Sequence, residues 1–411
     1  MPQTTQYQAQ ENDNFPLVKR GGSEADGVFP PDWQEVRLGD VVEMKNEKFK
    51  MKNLTLDNYV STENMLSDRL GVQKSANLPN VPSVNTFKVG DTLFSNIRTY
   101  FKKVWFSKFD GGASNDVLIF TPKDNNKLDK KFLYYIISND KFIDFTVISS
   151  KGTKMPRGDK EAMKNLPIFI PPLLEQKAIA GILSSLDDKI ELLRNQNQTL
   201  ENLGQRLFER EMEVGGEFEE SRLGDLGQIV CGKTPSTADP ENFDGEIPFI
   251  KIPDMHGQMF VIKTNQTLSK VGANTQKNKF IPTNSLCVSC IATVGVISIT
   301  TEPSQTNQQI NSIVPENPQI LEWLYYSILN RKSDLMALGA GGAVTLNVNT
   351  NLFSNFKIKI PSKPQLEAFH NLVSPLFSKI LANTQQIQTL SKIRDTLLPE
   401  LMAGRRRVEV V

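Results

Sequence analysis

The sequence repeats one series of motifs at an offset of about 190 residues, and this repeat constrains the fold more than any other feature. Each copy contains Arg-Leu-Gly-Asp, then Leu-Tyr-Tyr, then an Ile/Pro-rich segment, then Gln-Thr-Leu. The matching segments are Arg37–Asp40 and Arg222–Asp225, Phe132–Tyr135 and Trp323–Tyr326, Ile168–Pro172 and Lys359–Ser362, and Gln198–Leu200 and Gln388–Leu390. Two copies of this length predict two domains of one fold rather than a solenoid of short repeats.

Each copy joins a segment of mixed composition to a long segment with helical periodicity. The mixed segments carry short runs rich in Val, Ile and Phe that are broken by Gly, Pro and Asn, which is typical of a strand-rich α+β domain. We therefore predict an α+β protein with two globular domains separated by two long helices. The predicted boundaries are a mobile Gln/Asn-rich tail at 1–28, globular domains at 29–171 and 214–361, and helices at 172–213 and 362–404.

Apolar residues recur at alternating spacings of four and three through both predicted helices. Seven of nine such positions are apolar between Ile179 and Leu207, and seven of nine between Phe369 and Leu397. Because the period persists for about four heptads, we favour an antiparallel coiled coil of the two helices over stripes that each face their own domain. Asn197 and Asn383 interrupt the stripes. One buried Asn can fix register, and about 36 residues of helix would span roughly 54 Å.

The counts of ionisable residues exclude several classes of protein. Lys+Arg 47 and Asp+Glu 46 give a net charge of +1, so the chain is not a uniformly basic nucleic-acid coat. Two histidines leave little material for a histidine-based metal or acid–base centre, and three cysteines do not suggest a disulfide framework. We find neither a membrane-spanning apolar run nor a leader peptide, and we expect a cytoplasmic protein without membrane contact.

Three short patterns match known chemical sites, and we interpret each as a weak match. Residues 227–234 match the phosphate-binding G-x-x-x-x-G-K-[ST] pattern, but Pro240 follows too early for the required helix. A metal-dependent DNA endonuclease is the alternative function; its magnesium carboxylates and lysine would be Asp32, Glu43 and Lys45. Four residues could supply a zinc site, although a single C-x-x-C is more often part of a core. They are Cys231, His256, Cys287 and Cys290.

Basic residues cluster in both mixed segments, interleaved with aromatic side chains in the first. Lys and Arg neutralise DNA phosphates, while Asn or Gln can read adenine in the major groove. The candidate DNA-contacting cations are Lys45, Arg98, Lys102, Lys151, Lys154, Arg157, Lys233 and Lys251. The candidate polar contacts are Asn96, Thr234, Asn307 and Gln308, of which the amides are candidates for base edges.

Several longer segments resemble the specificity (S) subunits of type I restriction–modification systems. The strand, Pro-Pro, Leu-Glu-Gln and long-helix series at 166–180 is the most specific of them. The others are 32–40, 90–98, 231–235, 247–251, 289–295 and 306–311. Two departures from the resemblance are the lack of Lys or Arg at 341–348, opposite the basic 151–158 segment, and Pro375 inside the second helix.

The resemblance implies two target recognition domains that each read one half of a split double-stranded DNA site, with the helices as spacer. It also implies a non-catalytic subunit that has no cofactor of its own. Its expected partners are methyltransferase (M) subunits that use S-adenosylmethionine and a restriction (R) subunit that uses ATP and Mg²⁺.

Overall fold

The computed structural model describes residues 29–152, 154–340 and 346–408. The predicted tail at 1–28 lies outside these residues, as do 341–345 of the loop that lacks basic side chains. The chain forms two compact units, one of residues up to Asp188 together with residues from Ser391, and one of Lys189–Leu390.

The first unit contains ten strands and four helices among the described residues, together with the beginning of a long fifth helix. The strands are β1 (Gln34–Arg37), β2 (Val42–Met44), β3 (Lys48–Phe49), β4 (Tyr59–Val60), β5 (Val84–Phe87), β6 (Thr92–Ser95), β7 (Val104–Phe106), β8 (Gly111–Ala113), β9 (Val117–Pro122) and β10 (Pro167–Ile170). The helices are α1 (Leu38–Val41), α2 (Lys130–Ser138), α3 (Asp140–Ile148), α4 (Lys160–Asn165) and α5 (Leu173–Val214).

The second unit has a similar order of elements, with a 3-10 turn at Leu223–Asp225 in place of α1 and two additional short helices before β16. Its strands are β11 (Phe218–Arg222), β12 (Gly227–Cys231), β13 (Phe243–Ile250), β14 (Phe260–Val261), β15 (Thr267–Leu268), β16 (Leu286–Ser289), β17 (Ile297–Thr300), β18 (Gln305–Thr306), β19 (Ile310–Pro315) and β20 (Lys357–Pro361). Its helices are α6 (Ile252–Met255), α7 (Lys270–Asn274), α8 (Leu321–Asn330), α9 (Lys332–Gly339), α10 (Thr350–Ser354) and α11 (Lys363–Met402). The helix α11 continues through Pro375.

The two units share the order and register of their main sheets. The order β2-β9-β6-β7 in the first unit corresponds to β12-β19-β16-β17 in the second, where β14 is added at the edge. The equivalent residue pairs are Val42–Pro122 and Gly227–Pro315, and Ser95–Val117 and Ser289–Ile310. A smaller sheet in each unit contains a parallel pair, β4 with β8 and β13 with β18. The duplication predicted from the motifs is therefore a duplication of fold.

The predicted pairing of two long helices is confirmed. In the second unit, the apolar stripes of α5 and α11 join one core, in which Phe208 packs against Trp323 of α8 and Phe369 of α11. The hydroxyl of Tyr326 donates to the Glu201 carbonyl of α5 at 3.2 Å. Gly204 makes this approach possible, because a Cβ there would lie 2.1 Å from the Tyr326 hydroxyl.

The two asparagines of the predicted seam bond to each other. Nδ2 of Asn383 donates to Oδ1 of Asn197 at 2.9 Å, and Nδ2 of Asn197 donates to Oγ1 of Thr384 at 3.2 Å. Asn383 is 1% exposed. Burying an amide N–H without an acceptor is costly, so this pair disfavours any register that separates the two side chains.

In the first unit, polar side chains hold the globular domain and the beginning of α5 to the end of α11. Tyr135 of α2 donates to Asp187 at 2.8 Å, and Arg394 of α11 donates to the other oxygen of Asp187 at 3.0 Å. The bonds Asn197–Asn383 and Asp187–Arg394 show that α5 and α11 run antiparallel, because the residue earlier in α5 bonds to the residue later in α11.

Replacing Asn197 tests the buried amide pair. In Asn197→Leu, the buried amide of Asn383 loses its 2.9 Å partner, and we expect the free energy of unfolding to fall by about 1–3 kcal/mol. Denaturant titration measures this decrease. The exposed Asn195→Leu serves as the control, and the double variant Asn197→Leu/Asn383→Leu should recover most of the stability because both polar groups are gone. Equal midpoints for Asn197→Leu and Asn195→Leu would show that the pair contributes nothing.

Candidate nucleic-acid interface

Four predicted basic residues of the first domain meet where the 151–158 loop lies against the turn after β6. The backbones of Lys151 and Arg157 exchange two hydrogen bonds of 2.9 and 3.0 Å. The N–H of Arg98 donates to the Pro156 carbonyl at 3.0 Å. Lys154 lies at the exposed side of the same loop. The fold thus brings together cations separated by more than fifty residues in sequence.

The cations of this loop differ in their freedom to bind a phosphate. Arg157 donates from Nε to Asp116 at 3.1 Å, and Lys151 lies 2.5 Å from Asp159. The hydrogen bond from Lys151 lowers the pKa of Asp159, which also caps α4. The side chains of Arg98 and Lys154 are exposed, and neither has an ion-pair partner in the described part of the chain. Arg98 and Lys154 therefore offer their full charge to solvent.

Three other candidates of the first domain are engaged within the protein. Lys45 lies 2.9 Å from the fully buried carboxylate of Asp91, and Lys102 lies 2.8 Å from Asp140. Asn96 is 4% exposed, and its Oδ1 faces Gly158, where a Cβ would lie 2.9 Å away. Burial prevents the Asn96 side chain from reaching a base edge in this conformation, so we do not retain it among the proposed contacts.

The predicted residues of the second domain form one cluster from three segments. Parallel pairing of β13 with β18 lets the N–H of Asn307 donate to the Ile250 carbonyl at 3.1 Å, which places Asn307 beside Lys251. The N–H of Lys233 donates to the Thr306 carbonyl at 2.9 Å. The cluster lies where β12, β13 and β18 end, so the sheets determine its geometry.

Within this cluster, one cation and one amide face the solvent. Lys233 and Gln308 are exposed, and Thr234 Oγ1 donates to Gln308 Oε1 at 2.6 Å. Asn307 is 8% exposed and donates to Gln309 at 3.0 Å. Lys251 donates to Gln266 at 2.6 Å and lies over the ring of Phe249, 5.4 Å from its centroid. Thr234 thus orients the amide of Gln308, while Asn307 and Lys251 already have protein partners.

The register of the repeat adds a residue that the sequence analysis missed. Asn115 precedes β9 by two residues, and Gln308 precedes the equivalent strand β19 by two residues. Both side chains are exposed. Because the motif offset changes along the chain, aligning the repeat by a single offset does not pair them; a strand-by-strand alignment would have identified Asn115.

A buried glutamine that the sequence did not mark holds Lys233 in place. The Gln276 amide donates from Nε2 to the Lys233 carbonyl at 2.7 Å and to Gln305 Oε1 at 2.7 Å. Its position depends on tertiary contacts between distant segments, which no local pattern reveals.

The weak catalytic patterns have structural explanations. Residues 227–231 of the phosphate-loop pattern form the strand β12, and a 3-10 turn at Pro240–Asn242 lies where a phosphate-binding helix would be needed. Cys287 and Cys290 are buried in the core, where burial raises the pKa of their thiols to about 12 and about 11. Among the described residues, no cluster of His, Cys, Asp or Glu is placed to hold a metal ion.

The proposed nuclease residues each have a different environment. Asp32 accepts hydrogen bonds from Arg407 at 3.0 and 2.7 Å, which lower its pKa. Lys45 is bound to Asp91, and Glu43 lies in β2. The arrangement gives no support to an endonuclease centre at Asp32, Glu43 and Lys45.

Comparison with known proteins identifies the family. The model of the type I restriction modification DNA specificity domain matches twice, at residues 30–202 and 215–392. The chain belongs to this family of specificity subunits. The HindI specificity subunit of Haemophilus influenzae is 33% identical over 91% of this chain and 99% of its own length. The MjaIX specificity subunit of Methanocaldococcus jannaschii is 26% identical over 70% of this chain and 71% of its own.

A solved structure shares the fold of this specificity subunit. The crystal structure of a type I system S subunit from M. genitalium superposes with a TM-score of 0.61 at 17% identity, covering 94% of this chain and 98% of that one. The family also indicates a subunit that is not itself catalytic. No helix in the described ranges is long and apolar enough to cross a membrane.

The glycine at the base of the second cluster provides a test of its geometry. In Gly232→Ala the new Cβ would lie 2.1 Å from the Asn307 carbonyl and 2.3 Å from Thr306 Oγ1. Because both neighbours belong to the packed strand end, we expect stability to fall by about 1–3 kcal/mol and hydrogen exchange to become faster at residues 305–311. Gly181→Ala in α5, with open space around its Cβ, is the control and should not destabilise. Unchanged exchange at 305–311 would contradict this packing.

Proposed function

We propose that each domain of this specificity subunit reads one half of a bipartite double-stranded DNA site through its exposed cations and amide. The observation that carries the proposal is the recurrence of an exposed amide at the same place in the two copies, Asn115 before β9 and Gln308 before β19. An Asn or Gln amide can donate to N7 and accept from N6 of adenine at the same time. Each of these amides lies in a domain that also exposes cations.

In the second domain, the geometry supports phosphate contacts by lysine side chains and a base contact by Gln308. Lys233 is suited to a phosphate contact, since an ammonium group is a point charge that does not need a fixed orientation. Lys251 would have to give up its bond to Gln266 to make a second such contact. Gln308 is suited to a base edge because the 2.6 Å bond from Thr234 limits its rotation. The second lone pair of Gln308 Oε1 and both hydrogens of its Nε2 remain for a base.

In the first domain, Arg98 and Lys154 are the proposed phosphate contacts, with Lys151 and Arg157 beside them. The paired groups Asp159 and Asp116 would have to yield part of their bonds for Lys151 and Arg157 to bind phosphate. Lys45 and Lys102 support the domain through Asp91 and Asp140, and we assign them no DNA contact.

The salt dependence of DNA binding tests these roles. Removing one cation that neutralises a phosphate reduces the slope of log K against log[salt] by about 0.9. We expect Arg98→Ala/Lys154→Ala to lower the slope by about two in a complex with methyltransferase subunits, with a similar relative decrease in affinity on all sequences. Lys379→Ala/Lys392→Ala, which removes two exposed lysines of α11, is the matched charge control. An unchanged slope in the double variant would refute the proposed phosphate contacts.

Gln308 makes a different prediction from the cations. Gln308→Ala should leave the salt slope unchanged and reduce discrimination at one base pair of one half-site by about 1–3 kcal/mol. Competition binding against duplexes substituted at each position measures this reduction. Asn115→Ala should act on the other half-site. If both variants relaxed the same half-site, the assignment of one domain to each half would be wrong.

We also propose that α5 and α11 fix the DNA spacer and dock the methyltransferase subunits, while the restriction subunit joins the same complex. S-adenosylmethionine, ATP and Mg²⁺ would be used by those partners. Adding seven residues after Asn197 and seven before Asn383 would keep the helices paired and add about 10 Å of helix. About three base pairs at 3.4 Å each should then be added to the recognised spacer, which methylation mapping detects. An unchanged spacer would rule out the ruler.

A further inference from the structure

The first domain exposes a pair of aromatic side chains in the turn between β6 and β7. Tyr100 is 50% exposed and Phe101 is 41% exposed. Their ring centroids are 4.7 Å apart and the ring planes are inclined by 49°. Exposed adjacent aromatic rings cost hydration free energy, and their burial in a complex would recover it.

The backbone around this pair is held in an unfavourable conformation. Arg98 and Lys102, on either side of the pair, have φ of 50° and 53°. Asp68 and Arg69 in the neighbouring loop have φ of 55° and 62°. These four residues account for most of the positive-φ non-glycine residues of the described chain, of which there are seven. Such conformations persist only where surrounding contacts impose them, and they concentrate at functional sites.

The surrounding contacts hold the two loops together. The N–H of Asp68 donates to the Phe101 carbonyl, and the N–H of Arg69 donates to the Lys102 carbonyl, both at 3.0 Å. The side chains of Arg69 and Lys102 both bind Asp140 at the beginning of α3. The aromatic pair is therefore presented on a rigid support, so little conformational entropy would be lost when it binds.

The charge beside the pair is complementary to a phosphate backbone. Asp140 is neutralised by two cations, whereas Arg98 adjoins the rings without an ion-pair partner among the described residues. Lys154 on the loop bonded to Arg98 is likewise exposed. A rigid aromatic tip flanked by free cations fits DNA better than an apolar protein surface, which would leave both charges without a partner.

We propose that Tyr100 is a wedge that inserts between two base pairs of the half-site read by the first domain, with Phe101 as its support. The inference rests on the DNA-reading function proposed above. The 49° inclination allows only one ring to lie parallel to a base pair. Tyr100 is the more exposed ring, while the N–H and the carbonyl of Phe101 are both bonded within the support. Insertion would partly unstack one base step and bend the duplex there.

The equivalent turn of the second domain has no exposed aromatic pair, which makes the proposal specific to one half-site. This turn, between β16 and β17, contains Ala292 at φ 62° and the buried Val294, and none of residues 290–296 is aromatic. The distortion caused by the wedge should therefore occur only in the half-site of the first domain.

2-Aminopurine fluorescence tests the wedge in the complete methyltransferase complex on its recognised DNA. The probe is placed in turn at each position of both half-sites, and its emission rises where a base loses its stacking partner. Because a methyltransferase flips its target base out of the stack, the probe should respond at the target adenine of each half-site in every variant. We expect one further response, at one step of one half-site, that is abolished in Tyr100→Ser and kept in Tyr100→Phe. Affinity for the site should fall about tenfold in Tyr100→Ser, the usual effect of removing one aromatic stacking partner. Val89→Ser, 54% exposed in the same domain, is the control.

Two outcomes would contradict the wedge, and a third would contradict the proposed DNA-reading function. A further response unchanged by Tyr100→Ser would show that another group distorts the DNA. Failure of the Tyr100→Ser subunit to assemble with methyltransferase subunits, measured by sedimentation, would assign the ring to a protein interface. Refutation of the wedge alone leaves sequence-preferring binding in the wild-type complex, whereas absence of that preference would refute the proposed DNA-reading function itself.

Discussion

The apolar seam shared by α5 and α11 is the constraint on which the rest of the fold depends. The helix α5 has 42 residues and α11 has 40, and the apolar stripe of each is too long to be covered by one recognition domain. Each helix also contributes residues to both compact units, so the seam belongs to the core of each. Register along the seam is therefore set by packing and by the buried Asn197–Asn383 bond, since a slipped register would leave a buried amide without a partner.

Neutralisation inside the domains explains how a chain of net charge +1 can present a DNA-binding surface. Lys45 is paired with Asp91, and Lys102 shares Asp140 with Arg69; these bonds support strands and loops. Arg98, Lys154 and Lys233, by contrast, are exposed and lie near the exposed aromatic rings or the exposed amide of Gln308. Residues 172–211, largely in α5, hold five Lys and Arg against seven Asp and Glu, which offsets the basic surfaces in the total.

The features predictable from sequence are those that a periodic or repeated pattern encodes. The duplication, the two long helices and the polar interruptions at Asn197 and Asn383 follow from spacing alone. Spacing does not show which cations are paired, because the partner of Lys45 is 46 residues away. Nor does it show the burial of Asn96, which depends on Gly158 from another loop. The phosphate-loop pattern, interpreted as a weak match because of Pro240, lies largely on the strand β12.

Mapping methylated adenines in genomic DNA tests the central claim most directly. The cells compared carry the intact gene, a deletion of the gene, or a gene in which residues 214–361 are replaced by the corresponding domain of another specificity subunit. We predict a bipartite motif that vanishes on deletion. The domain exchange should change one half of the motif and leave the other half and the spacer as they were. A motif that survives deletion, or an exchange that alters both halves together, would contradict the account of two independent reading domains on one paired-helix spacer.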